Sequence, residues 1–185
     1  MLDLTIKEFS YPNTPEVLIL QGIKFFLKEG EHLVILGESG CGKSTLLHLI
    51  YGLIHLEKGK IFWKKRQLLG PQHNIVPGDL AMKLVAQEFN VMPYISVAEN
   101  IATHLSRNNK QQDAARVDQL LEVVALQEHK HTKVKNLSGG QKQRVALAKA
   151  LANAPEVILL DEPFSNIDTF RKNKLRRNVY GYLKE

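Results

Sequence analysis

A glycine-rich segment, residues 37–44, constrains the fold more than any other feature of the chain. It reads Gly-Glu-Ser-Gly-Cys-Gly-Lys-Ser, directly follows the apolar run of residues 33–36, and precedes an apolar segment with the character of a helix. Glycines let the backbone N–H groups of such a loop converge on phosphate oxygens, and the helix that follows points its positive end at the same anion. The sequence therefore predicts a phosphate-binding loop, here called the phosphate loop, between a strand and a helix.

Two side chains of the phosphate loop have predicted roles of their own. Lys43 is expected to reach the β- and γ-phosphates of a nucleoside triphosphate, and the Ser44 hydroxyl to complete the coordination shell of Mg²⁺. A glycine-rich turn without a ligand is the alternative, and the strand and helix around the motif argue against it. The residues predicted to contact nucleotide here are Gly37, Glu38, Ser39, Gly40, Cys41, Gly42, Lys43, Ser44 and Thr45.

Length, charge and cysteine content limit the class of protein. A chain of 185 residues with 44% hydrophobic residues can bury one sizeable core, which favours a single domain. No apolar run reaches the roughly 18 residues of a membrane span, the N-terminal residues lack the layout of a signal peptide, and Cys41 is the only cysteine. We therefore expect a cytosolic protein. The net charge of +6 is spread along the chain, so we expect no nucleic-acid partner.

The periodicity of apolar residues predicts the strands of an α/β fold. Residues 2–6 and 22–27 alternate between apolar and polar side chains, as half-buried strands of an antiparallel sheet do. Residues 33–36 and 157–160 are continuous apolar runs, which favours central strands of a parallel sheet that is covered on both faces. The expected fold is therefore a mainly parallel sheet with an antiparallel N-terminal portion.

Helical patterns occupy the middle and the end of the chain. Residues 96–105 begin with Ser96 and Glu99 at capping-box spacing, and residues 116–126 have apolar side chains on one face. Residues 168–185 also have the composition of a helix. The middle block is expected to form a helical subdomain inserted into the α/β fold.

An acidic pair, Asp161 and Glu162, follows the second apolar run. The C-terminal end of a central strand is the edge of an open α/β sheet at which ligands bind. There Asp161 would hold Mg²⁺, directly or through water, and Glu162 would orient and deprotonate the attacking water. Acidic residues end many strands, so a solvated strand end is the alternative, and the phosphate loop upstream favours the catalytic interpretation.

A third motif, Leu-Ser-Gly-Gly-Gln at residues 137–141, resembles the signature sequence of the ABC ATPases. Ser138 and Gln141 have capping-box spacing, which predicts a helix that begins here with free backbone N–H groups and a positive end. The serine hydroxyl and the unobstructed glycine backbone then suit an anion, whereas a helix cap with a flexible lead-in is the plainer alternative. The residues predicted to contact nucleotide in this signature are Ser138, Gly139, Gly140 and Gln141.

The resemblance to ABC ATPases covers nearly the whole chain, and the motifs occur in the order found in that family. It implies ATP and Mg²⁺ as cofactors. It also implies a homodimer or a paired ATPase subunit, in which the signature of one chain closes over the nucleotide held by the other. Residues 1–87 and 151–185 would form the nucleotide-binding core, and residues 88–150 the helical subdomain.

Three further residues gain a role only through this resemblance. Tyr11 looks like the aromatic residue that stacks on adenine, and Gln87 like the glutamine that contacts Mg²⁺ and links the site to a membrane partner. Asp168 looks like the loop residue that crosses the dimer interface. A core tyrosine and a surface glutamine are the plainer alternatives for the first two.

The C-terminal part of the chain departs from the family pattern in two ways. Ser165, Asn166 and Ile167 precede Asp168 where the family commonly has Ser-Ala-Leu. Family members also carry a switch histidine beyond the catalytic glutamate, whereas all seven histidines here precede Asp161. We therefore expect the sequence to be cut at its C-terminal end.

The function implied by the resemblance is ATP hydrolysis that powers solute movement through a separate integral-membrane permease, at the cytoplasmic face of the membrane. Residues 161–165, Asp-Glu-Pro-Phe-Ser, are more similar to bacterial importers than to exporters. One alternative is a soluble ABC ATPase that acts on nucleic acid or ribosomes, although such relatives usually carry paired cassettes, long coiled-coil insertions or zinc sites. Another is a nucleotide-binding regulator or fragment without turnover.

Overall fold

The computed structural model describes residues 1–86, 90–105 and 108–184, with the backbone alone for residues 169–171. The chain divides into two compact units, Met1–Met82 and Lys83–Glu185. None of the described helices is both long and apolar enough to cross a membrane. The predicted domain boundaries differ from this division and stay a prediction.

The first unit is built on an antiparallel sheet in the order β2-β1-β3-β4. Leu4 of the central strand lies opposite Phe25 on one side and Ile61 on the other, and Leu4 and Ile61 are at most 2% exposed. The alternation predicted from the sequence is therefore confirmed, because it directs one face of the sheet into the core. The elements are β1 (Leu2–Phe9), β2 (Leu20–Leu27), α1 (Lys43–Tyr51), β3 (Lys58–Trp63) and β4 (Arg66–Gln67).

The prediction of a strand at residues 33–36 is wrong. No strand is assigned there, and Val34 and Leu36 are 71% and 87% exposed. A strand forms only where a neighbour pairs with its backbone N–H and C=O groups. Strands β1 to β4 pair with one another in the described structure, and residues 33–36 take part in none of these pairings.

The second unit combines a parallel strand pair with a helical block, as predicted. Strands β5 and β6 form a two-stranded sheet, and Asp161 N–H extends the pairing by donating to Val85 O at 2.9 Å. Helices α2, α3 and α4 pack around Ile101, Leu120 and Leu147, which are completely buried. The elements are β5 (Met82–Val85), α2 (Val97–Ala102), α3 (Lys110–Val123), α4 (Gly139–Leu151), β6 (Val157–Leu160) and α5 (Thr169–Tyr182).

The predicted helices are present with different ends. Helix α2 has the predicted capping box, since Ser96 accepts from Glu99 N–H and Glu99 accepts from Ser96 N–H. Helix α3 begins earlier than its apolar face indicates, because Asn109 Oδ1 accepts from the N–H groups of Gln111 and Gln112. This cap satisfies two N–H groups that a helix otherwise leaves unpaired, so it fixes the start of α3 in a polar stretch.

Candidate functional site

Gly42, in the phosphate loop, is the N-cap of α1. Gly42 has a φ of 92°, a left-handed conformation that glycine adopts freely, and a Cβ added there would lie 2.7 Å from Leu20 Cδ2. A Cβ on Gly37 would lie 2.5 Å from Cys41 Sγ. The positive φ and the contact with Leu20 therefore require glycine at position 42, whereas a Cβ at position 37 would have to displace the Cys41 thiol.

The N-terminus of α1 is suited to an anion. Its first turn contains no acidic side chain, and no side chain caps it. Leu46 N–H makes the first intrahelical bond, to Gly42 O, so the N–H groups of Lys43, Ser44 and Thr45 precede that bond. Free N–H groups and the helix dipole together give this end partial positive charge. The arrangement fits a phosphate group of a nucleotide.

The Lys43 ammonium lies against the phosphate loop. Its Nζ donates to Gly37 O at 2.9 Å and to Glu38 O at 2.7 Å. A full positive charge is therefore held beside the glycine-rich backbone, where it adds to the partial charge of the helix. Cys41, in the same loop, is an exposed free thiol.

Tyr11 lies next to the first turn of α1. Its hydroxyl is 2.9 Å from Thr45 Oγ1, and its ring contacts Phe9 edge to face, with 5.2 Å between the centroids. The Tyr11 side chain is only half-buried. The structure thus brings an accessible aromatic ring close to the phosphate loop, and its stacking on adenine stays a prediction.

The signature begins α4 through the predicted capping box. Ser138 N–H donates to Gln141 Oε1 at 2.8 Å, and Gln141 N–H donates to Ser138 Oγ at 3.3 Å. Because Gln141 Oε1 accepts from Ser138, its Nε2 is the atom that lies 2.8 Å from His129 Nε2. A Cβ on Gly139 would have nothing within 4 Å, so the backbone of the signature is open at this residue.

The acidic pair directly follows β6. Asp161 is 6% exposed, while Glu162 is exposed and has a φ of 46°. A left-handed conformation costs a residue with a side chain about 1–2 kcal/mol, so it persists only where the surroundings impose it. Asp168 is also exposed and precedes α5, with its carbonyl accepting from Lys172 N–H at 2.9 Å.

Gln143 was not identified from the sequence. It joins α4, the helix that begins with the signature, to the segment after Glu162. It is 2% exposed, and its amide bonds to Glu162 O, Ser165 Oγ and Asn166 N. The one signal in the sequence is its spacing of four residues from the buried Leu147, which puts a polar residue on the apolar stripe of α4.

The predicted site residues thus form two groups, one in each unit. Tyr11, Thr45 and the phosphate loop lie together in the first unit, and the signature and the acidic pair lie together in the second. Gln87 lies outside the described residues.

A family model described as "ABC transporter" matches residues 20–165. Fe(3+) ions import ATP-binding protein FbpC of Haemophilus influenzae is 38% identical over 172 residues, which are 92% of this chain and 49% of that protein. Taurine import ATP-binding protein TauB of Roseobacter denitrificans is 39% identical over 179 residues, 96% of this chain and 64% of that protein. The chain therefore spans about half to two thirds of the length of these curated relatives.

A solved structure resembles the whole chain. It is a dimeric structure of a post-hydrolysis state of the ATP-binding cassette MJ0796, bound to ADP and Pi. The TM-score is 0.82 at 27% identity, and the match covers 100% of this chain and 83% of that one.

Proposed function

The chain belongs to the ABC transporter family, and from this premise we propose that it binds Mg-ATP and hydrolyses it to power solute transport through a separate integral-membrane permease. The observation that carries the proposal is the phosphate loop, where a glycine turn, a helix N-terminus and the Lys43 ammonium meet. Such a loop neutralises the charge of a triphosphate without any acidic competitor in the first helical turn.

The residues of the first unit bind the nucleotide in this proposal. Lys43 contacts the β- and γ-phosphates, and the Ser44 hydroxyl is a ligand of Mg²⁺. Tyr11 stacks on the adenine, supported by its accessible ring beside Thr45. The backbone N–H groups from Gly37 to Thr45 contact the phosphate oxygens.

The residues of the second unit perform the hydrolysis. Asp161 holds Mg²⁺, and Glu162 orients the attacking water and removes its proton. We assign Gln87 to the metal and to communication with the permease on the basis of the family resemblance alone. The signature residues Ser138 to Gln141 and Asp168 act on the nucleotide of a second ATPase subunit.

The partners and the location follow from the same premise. The relatives named above are import ATP-binding proteins, and the similar MJ0796 cassette is dimeric. We therefore propose that this chain works as a dimer bound to a permease at the cytoplasmic face of the membrane, in the direction of import. We expect no nucleic-acid partner, because the net charge of +6 is spread along the chain.

Titration with a fluorescent ATP analogue and a phosphate-release assay test this function. Lys43→Met should weaken Mg-ATP binding by at least about tenfold, because the lysine charge is lost. Lys60→Met, which removes an exposed lysine of β3, is the matched control and should leave binding unchanged. Glu162→Gln should retain binding while turnover falls by about 10² or more. Binding that is insensitive to Lys43→Met, or full turnover in Glu162→Gln, would contradict the proposal.

A further inference from the structure

We propose that Gln143 is a positioning residue, whose side-chain amide fixes the backbone from Glu162 to Asn166 and so sets the direction of the Glu162 carboxylate. This inference rests on the role of Glu162 proposed above. It adds a residue of the signature helix to the parts on which hydrolysis depends.

Each end of the Gln143 amide is used. Nε2 donates to Glu162 O at 2.9 Å and to Ser165 Oγ at 3.3 Å, while Oε1 accepts from Asn166 N–H at 3.1 Å. Gln143 is 2% exposed, so the Gln143 amide itself is shielded from water. Buried hydrogen bonds of this kind hold a single geometry, because losing one leaves a polar group without a partner.

The bond to Glu162 O bears directly on the strained residue. Glu162 has a φ of 46°, and its carbonyl also accepts from Ser165 N–H at 3.1 Å. On the other side, Asp161 N–H is bound to Val85 O at 2.9 Å. Hydrogen bonds thus hold the peptide group after Glu162 and the peptide group before Asp161, which restricts the direction in which the Glu162 side chain leaves the backbone.

A second contact presses the same segment onto the first turn of α4. A Cβ on Gly140 would lie 2.6 Å from Asn166 O, which means that the two backbones are in close contact. Helix α4 therefore contacts the segment from Glu162 to Asn166 at two positions, by packing at Gly140 and by hydrogen bonds from Gln143. The signature and the proposed general base share one rigid support.

Steady-state kinetics of Gln143→Met and Gln143→Glu test the inference. Methionine fills the same space without a donor or acceptor, so kcat should fall about 10- to 100-fold because the base is displaced, while KM for Mg-ATP stays within about twofold. Gln112→Met, which changes an exposed glutamine of α3, is the control and should match the wild type.

The Gln143→Glu variant adds a readout that a merely structural role would not move. The protonated carboxyl can donate to Glu162 O as the amide does, whereas the carboxylate would repel that carbonyl. Burial raises the pKa of a carboxyl, so protonation of the new side chain should occur near neutral pH. The activity of Gln143→Glu relative to that of the wild type should therefore rise at least about fivefold as the pH falls from 8 to 6. A ratio that is flat with pH would overturn the inference.

Hydrogen exchange tests the same contact without relying on turnover. Gln143→Met should accelerate exchange of the Asn166 amide by about tenfold or more, with the Leu147 amide of α4 unchanged. Equal acceleration at the two amides would mean that Gln143 only stabilises the helix, and the inference would fail. Normal turnover in Gln143→Met together with an inactive Glu162→Gln overturns this inference alone, whereas an active Glu162→Gln removes the proposed role of Glu162 first.

Discussion

The Tyr11 hydroxyl lies 2.9 Å from Thr45 Oγ1, so the turn after β1 is joined to the first turn of α1. Thr45 is 8% exposed, and Tyr11 is half-buried. The hydrogen bond therefore orients a ring that still has an accessible surface. This surface is what an adenine base would contact.

Variants of Tyr11 separate the ring from the hydroxyl. Tyr11→Phe keeps the ring, so the Kd for ATP should stay within about twofold, whereas Tyr11→Ala should raise it about 3- to 10-fold through the loss of stacking. Fluorescence titration measures the two constants. Tyr94→Ala, at a tyrosine that is 73% exposed in the second unit, is the control. Equal effects of Tyr11→Phe and Tyr11→Ala on the Kd for ATP would mean that the ring does not stack on the base.

The two glycines of the signature should respond differently to alanine. A Cβ on Gly140 would lie 2.6 Å from Asn166 O, so Gly140→Ala should lower the free energy of unfolding by about 1–3 kcal/mol. A Cβ on Gly139 would have nothing within 4 Å, and Gly139→Ala should leave stability unchanged or raise it by up to about 1 kcal/mol. Urea denaturation compares the variants. Similar changes in the free energy of unfolding for Gly140→Ala and Gly139→Ala would refute the close contact at Gly140.

Cys41 offers a chemical test of the phosphate loop. The thiol is exposed, and its Sγ lies 2.5 Å from the position of a Cβ added to Gly37, so a bulky maleimide should distort the loop and abolish ATP binding. Bound ATP should protect the thiol, with labelling slowed about tenfold at ten times the Kd. Mass spectrometry measures the rate. Cys41→Ser is the control that should not be labelled and should still bind ATP. Normal ATP binding by the fully labelled chain would speak against the site.

The two capping boxes should differ in their dependence on pH. Hydrogen bonds from the Ser96 hydroxyl and backbone N–H lower the pKa of Glu99 from its ordinary value of 4.5, whereas Gln141 in the other box does not titrate. A carboxyl whose pKa is lower in the folded chain than in the unfolded chain stabilises the folded chain at pH values above the unfolded-state pKa. This contribution is lost as the pH falls through the folded-state pKa.

Ser96→Ala and Ser138→Ala measure this difference. Each should lower the free energy of unfolding at neutral pH through the loss of a cap. The effect of Ser96→Ala should shrink between about pH 5 and pH 3, while the effect of Ser138→Ala stays constant over the same range. Denaturation curves at each pH give the two series. Parallel series would mean that the Glu99 carboxylate contributes nothing to its cap.

Local patterns predicted much of the fold and the site. The capping boxes at Ser96 and Ser138 and the alternating strand β1 were found in the sequence because neighbouring residues determine them. The glycines at positions 37 and 42 were found for the same reason, since the shape of a tight loop depends on residues close in sequence.

Features that depend on distant partners could not be predicted in this way. The apolar run of residues 33–36 has the composition of a central strand, but a strand also needs a paired neighbour, and composition carries no information about one. The role of Gln143 depends on Glu162 and Asn166, which are 19 and 23 residues away in the chain. A polar residue on an apolar stripe indicates that such partners exist without indicating which they are.

The two hydrogen bonds from Lys43 to backbone carbonyls lower the entropic cost of binding an anion. A lysine that is free in solvent loses up to about 2 kcal/mol of rotamer entropy when it is immobilised, and here that loss occurs when the chain folds. The ammonium, already held by Gly37 O and Glu38 O, then only has to exchange acceptors. Phosphate capture should therefore be fast and carry little entropic penalty at this side chain, because the loop is preorganised for its ligand.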